Sequence, residues 1–216
     1  AAGVGLTQAL WVYFLSFFWA LPAHAVNLVQ IAYLSASIVA LASLPKIAKG
    51  RDKRSLAIQL SVIFWIWDVA PIALRLVGLM PPNGSDALVW TLCFTGFVDG
   101  VLFNMMVALV LSMLTDVVED NLVRTGRREE GAVLAGQTLV TKTSTAAGTL
   151  LGSTVLVFAQ FPADAVNAAT ISSDVLTRLG FIFVGAMWAL GVVSTWLLTK
   201  YAITRAQHLE NIERAQ

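Results

Sequence analysis

Apolar residues fill the chain in six long blocks, at about residues 3–22, 26–46, 56–80, 87–115, 131–160 and 176–200. A helix needs roughly 20 such residues to cross a hydrocarbon core of about 30 Å, and none of the blocks shows the ten-residue alternation of a barrel strand. The separators are turn or cap chemistry: L-P-A-H, K-G-R-D-K-R, M-P-P-N-G-S-D, a charged run from Asp116 to Gly131, and F-P-A-D-A-V-N. The pattern predicts an all-α polytopic membrane protein with six transmembrane helices. Blocks longer than 20 residues imply tilt or extension into water.

The fifth block departs from the pattern. Thr138, Lys142, Thr145 and Thr149 follow one another at spacings of four, three and four, which stacks them on one helix face. Gln137, Thr141 and Ser144 widen that face, while Leu139, Val140, Ala146, Ala147, Leu150 and Leu151 cover the rest. A polar face on a membrane helix must line something wet or polar. Lys142 lies about 17 Å of helical rise beyond Gly131, half the core thickness and beyond easy snorkelling reach. A charge at that depth costs about 2.5 to 3.5 kcal/mol on insertion scales, so it belongs against protein or in a water-filled cavity. The face therefore reads as a solute or coupling-ion site, with a structural ion pair as the competing use of Lys142.

Two carboxylates lie near the same depth. Asp68, in W-I-W-D-V-A-P, is about 20 Å from the cytoplasmic start of its span, which nearly matches Lys142, although Arg75 on the same face is a rival partner. Asp99, in F-V-D-G-V, is displaced by about 9 Å, which leaves room for a bridging water. Asp99 and Asn104 are the polar groups of the fourth span that could enter a pathway. Gly96 with Gly100, and Gly148 with Gly152, have the spacing that lets helices approach closely. At the end of the fourth span, Asp116 and Glu119 are expected to face Arg124, Arg127 and Arg128 as a cytoplasmic gate latch. Exposed pairs of this kind contribute only about 0 to 1 kcal/mol each.

Composition agrees with a membrane protein. Of 216 residues, 57% are hydrophobic and 12% charged, against roughly 25% charged in soluble domains, and the mean hydropathy is +0.76. Charge adds an orientation. Eleven of the 14 Lys and Arg residues fall on one side of the six-span arrangement, in alternate loops and the C-terminal tail. That bias predicts cytoplasmic termini in a plasma (inner) membrane. A net charge of +1 gives no argument for nucleic acid. The single cysteine, Cys93, supports no disulfide, redox or metal role. The first segment lacks the basic start of a signal peptide, and without an initial methionine the chain is expected to be a fragment of a longer one.

The run that begins at Asp116 resembles the glycoside-pentoside-hexuronide cation symporters of the major facilitator superfamily, the family of the melibiose permease. The resembling residues are Asp116, Glu119, Arg124, Arg128, Glu130, Gln137, Thr138 and Lys142, ungapped over 27 residues, with a second match in P-K-I-A-K-G-R-D-K-R-S-L from residue 45. The resemblance covers essentially all of residues 1–216, as the C-terminal half of such a transporter. It implies a twelve-helix protein of two six-helix halves, with solute bound between them at mid-membrane and access alternating by rocking. It places Lys142, Gln137 and Thr138 beside the shared sugar and cation region, with Na+ or H+ as coupling ion and most cation-binding acids on the other half. Val107 occupies a position that carries tryptophan in the melibiose permease, which argues against a melibiose-like solute.

The implied partners are a small hydrophilic solute, a coupling cation, the lipid bilayer and the N-terminal half. The expected activity is cation-coupled symport of a sugar or glycoside. Alternatives are transport of a lysophospholipid-like lipid and a homodimeric half-transporter. An enzyme is not expected: no span pairs a serine with a histidine, since His24 lies in a turn and His208 in the tail, and no zinc-ligand cluster occurs. A retinal-type pigment with Lys142 as Schiff base is disfavoured by the six spans and the matched run. No cofactor or metal is expected.

Overall fold

The computed structural model describes residues 1–125, 130–165 and 168–201, although side chains are not described for Arg124, Thr125 and Ala169. The described residues contain helices and no strands. The six long helices are α1 (Ala2–Tyr13, continued by a π-helical turn at Phe14–Phe18), α2 (Ala23–Ala48), α3 (Lys53–Leu76), α4 (Asp86–Thr125), α5 (Glu130–Phe158) and α6 (Ser173–Leu198). Four of them, α2, α3, α4 and α6, are long and apolar enough to cross a membrane. The helix Ala2–Phe18 is shorter, and hydroxyls and a lysine make α5 more polar.

Local chemistry sets the boundaries. Asp52 caps α3, its side chain accepting from the Ser55 N–H at 2.9 Å. At the other end, Gly78 adopts φ 76°. There the Leu79 N–H reaches the Leu74 carbonyl and the Gly78 N–H the Arg75 carbonyl, both at 2.9 Å, a Schellman closure that favours glycine. One predicted boundary is corrected. The fourth block was expected to end at residue 115 with a charged connection after it, but α4 runs on to Thr125 as one 40-residue helix. Asp116 to Thr125 hold no Gly or Pro before Gly126, so no strong breaker stops the helix sooner.

Packing runs mainly in pairs, α1 on α5, α2 on α4, and α3 between α4 and α6. Both glycine pairs form close crossings. A Cβ at Gly100 would lie 2.6 Å from the Tyr33 carbonyl oxygen of α2, and one at Gly148 would lie 2.9 Å from the Leu6 nitrogen of α1. Gly5 of α1 meets the Thr145 backbone, and Gly152 meets Ala9. Trp65 of α3 wedges against Gly191 of α6 and Gly3 of α1. Ser61 and Thr195 hydrogen bond across α3 and α6 at 2.9 Å.

The apolar core has two parts. The larger gathers Leu6, Leu10, Phe14, Phe18, Leu88, Leu179 and Met187. The smaller, around Leu56, Leu60, Met105, Leu109 and Met113, fills the end where α3 begins. Many large apolar side chains stay outside both, including Ile31, Leu34 and Ile38 of α2 and Leu139, Val140 and Leu150 of α5. An exposed apolar belt of this kind is what a lipid-bathed bundle needs.

Candidate functional site

The α1 crossing fixes how α5 is turned. Gly148 and Gly152 are buried against α1, and Thr145 is half-buried where its backbone meets Gly5. Lys142, one turn before Thr145, is exposed, as are Thr138, Thr141 and Thr149, and Gln137 is half-buried. Thr138 donates to the Leu134 carbonyl at 2.9 Å and Thr149 to the Thr145 carbonyl at 3.1 Å, so these hydroxyl protons are spent on their own helix. Their oxygens still accept. The Lys142 ammonium makes no hydrogen bond or ion pair among the described residues. The face thus presents one full positive charge, flanked by hydroxyl acceptors and an amide, with no partner from its own bundle.

The carboxylates weighed as partners of Lys142 stand on other helices. Asp68 and Asp99 lie on α3 and α4, and neither forms an ion pair or hydrogen bond with it. The rival pairing of Asp68 with Arg75 is corrected too. Arg75 stacks over the rings of Phe18 and Trp19 at 4.5 and 5.0 Å and donates to the Asn83 side chain. Its position near the end of α3, two turns beyond Asp68, favours those groups. Asn104 donates to the Gly100 carbonyl of its own helix at 2.8 Å. Asp99 and Asn104 therefore belong to the α2–α3–α4 side of the bundle, not to the α5 face.

At the other end of α3 one acid is well served. Asp116 is 3% exposed and accepts from the Lys53 ammonium through both carboxylate oxygens, at 2.6 and 2.9 Å. The Tyr201 hydroxyl donates to Asp116 Oδ2 at 3.1 Å, with the Met113 carbonyl 3.5 Å away. Burial, and then the charge of Asp116, push the Tyr201 phenol above its ordinary range. Arg54 adds a bond to the Thr199 carbonyl at 2.6 Å. The start of α3, the end of α4 and the chain just after α6 are thus pinned at one point above Met113. Glu119 is half-buried one turn beyond Asp116. The expected latch partners Arg127 and Arg128 lie outside the described residues, as does the Arg124 side chain.

The sequence pattern missed Lys53 and Tyr201 as partners of Asp116, and Tyr33 beside Asp68 and Asp99. One signal for Lys53 was present: it opens α3 at the end where α4 emerges, on the same predicted side as Asp116. Tyr33 and Tyr201 gave none, since their roles depend on how helices distant in sequence pack.

A bundle of long apolar helices, four of them long and apolar enough to cross a membrane, is the architecture of a membrane protein, and it holds no catalytic constellation among the described residues. The chain matches the family described as MFS/sugar transport protein over residues 1–205, and it belongs to that family. It is a secondary transporter of the major facilitator superfamily, not an enzyme. Comparison with curated proteins found no match, and comparison with solved structures found none.

Proposed function

We propose that this chain is the C-terminal six-helix half of a cation-coupled symporter that carries a sugar, glycoside or similar hydrophilic solute. On this reading all six long helices span the plasma membrane and both termini are cytoplasmic. On this reading it belongs with the glycoside-pentoside-hexuronide symporters, which the run from Asp116 to Lys142 resembles. The α5 face, with Gln137, Thr138, Thr141, Lys142 and Thr145, borders the cavity between the two halves. The observation that carries the reading is Lys142: a mid-helix ammonium, exposed and without a partner in its own bundle, needs an anionic or hydroxylated partner from across the cavity.

Lys142 serves two purposes there. It balances carboxylates contributed by the other half, and it donates to solute hydroxyls while the threonine oxygens accept. Rocking of the halves then exposes the loaded face to one side of the membrane at a time. The Asp116–Lys53–Tyr201 cluster holds the cytoplasmic end of this half together as a unit during that movement.

The test is a panel of labelled sugars and glycosides offered to cells that express the complete transporter, in wild-type and Lys142→Ala forms. Uptake of at least one solute by the wild type and its severe loss in the variant, at equal expression, supports the reading. Normal coupled uptake by Lys142→Ala removes the role given to the lysine. Transport of lysophospholipid in place of every glycoside moves the protein to the lipid class.

A further inference from the structure

Two carboxylates inside the bundle have no role in the α5 face. Asp68 sits in the middle of α3 and Asp99 on α4, and the helices are tied beside them by the Trp67 indole N–H, which donates to the Thr95 carbonyl at 3.0 Å. Trp67 is next to Asp68, and Thr95 lies one turn before Asp99 on its helix, so the packing of α3 on α4 brings the two carboxylates to the same level of the bundle. Gly100, next to Asp99, lets α2 close in, since a side chain there would strike the Tyr33 backbone. Oδ2 of Asp68 and Oδ1 of Asp99 are both fully buried, and neither has a hydrogen-bond partner.

Among the described residues, no cationic side chain forms an ion pair or hydrogen bond with either carboxylate. Apart from Tyr33, the titratable side chains of α2 are His24 and Lys46 near its ends. On α3 they are Lys53, Arg54 and Arg75, and on α4 they are Asp86, Cys93 and the group from Asp116 onward. On α6, which covers the other side of α3, only Asp174 and Arg178 in the first turns carry charge, and Arg178 is bonded to Gln160 at 2.6 Å. Two like charges side by side in a low-dielectric interior cannot both persist, and paired carboxylates meet this by sharing one proton. A hard metal cation is satisfied by six or more oxygens, whereas these elements bring two carboxylates and one phenol. A proton needs only one oxygen to carry it and one to accept from it.

We propose that Asp68 and Asp99, on facing helices of this half with Tyr33 beside them, form a proton-binding site. The proton bonds to the unpartnered oxygen of one carboxylate and is accepted by that of the other. On release the O–H bond breaks and the proton passes to water, leaving two charges that drive the helices to rearrange. The inference deepens the symport reading and rests on it for its role in coupling.

Infrared spectroscopy of the purified full-length transporter in D2O tests it without a known solute. At neutral pH the wild type should show the carbonyl stretch of a protonated, buried carboxylic acid, and Asp68→Asn and Asp99→Asn should each lose or shift that band. Absence of the band, or a band unmoved in both variants, overturns the proposal, as does its displacement by Na+ at constant pH. A second arm uses whichever solute the uptake panel identifies. Asp99→Asn should keep solute exchange down its gradient and lose at least tenfold in proton-driven accumulation, and full accumulation overturns the coupling role. If no solute is found, the symport reading fails while the infrared result still decides the proton site.

Discussion

Two lysines of this chain live in opposite circumstances. Lys53 opens α3 at the end of the bundle, where water is near, yet it is bound through two contacts to a carboxylate that is almost wholly enclosed. Lys142 stands twelve residues into α5, where water should be scarce, yet none of the described residues pairs with it. Depth alone would assign the partner to the wrong lysine. Charges that hold a bundle together are satisfied inside it, while a charge kept for solute or for another part of the protein is left open at a cost in stability.

The contrast can be broken by substitution, with thermal unfolding in detergent as the measure. Lys53→Met should have the largest effect, about 3 kcal/mol of destabilisation, because it takes the ammonium away from the buried Asp116 carboxylate. This is the low end for a buried pair, since Lys53 is itself 30% exposed. Asp116→Asn should cost less, about 1 to 2 kcal/mol, because the ammonium left behind can turn to water. If the two variants were equal, Asp116 would not be the member that burial makes expensive.

Tyr201→Phe should remove about 1 kcal/mol, the worth of one hydrogen bond to a charged group in a partly open site. Its effect also has a pH signature. The phenol is held above its ordinary value of 10.0 by burial and by Asp116, so the folded state favours the neutral form. That contribution is complete below about pH 10 and is lost as pH rises through the higher folded value. The wild type should therefore lose stability faster than Tyr201→Phe on alkaline titration. The smallest effect is expected of Lys142→Met, within about 0.5 kcal/mol of wild type, although the proposed function makes the same position necessary for uptake. A large loss of stability there would return Lys142 to the structural class and dissolve the contrast.

How much of this was readable beforehand follows from the range of each interaction. Helix positions came through within a few residues, because membrane length and turn residues act locally; α3 was expected at 56–80 and spans Lys53–Leu76. The glycine pairs were read correctly as close-approach sites, since a missing Cβ matters whichever helix comes near. The polar face of α5 was visible from spacing alone. The partners were not. Asp68 was matched with Lys142 or Arg75 by depth and helix face, but azimuth and tertiary packing decided otherwise, placing it with Asp99 and Tyr33. The extension of α4 was missed because charge was taken as a loop signal, although Val117, Val118, Leu122 and Val123 keep the segment helical.

That extension has a mechanical meaning. At about 1.5 Å per residue, α4 is about 60 Å long, twice the hydrocarbon thickness. From Val101 to Thr125 it contains neither glycine nor proline, so it has no built-in hinge. Asp99 and Asp116 are separated by about 25 Å along this rod. A tilt of about 10° pivoting near Asp99 would swing the pinned end sideways by about 4 Å, enough to part Lys53 from its carboxylate. The helix acts as a lever, converting a small change around Asp99 into a displacement where Asp116 meets Lys53.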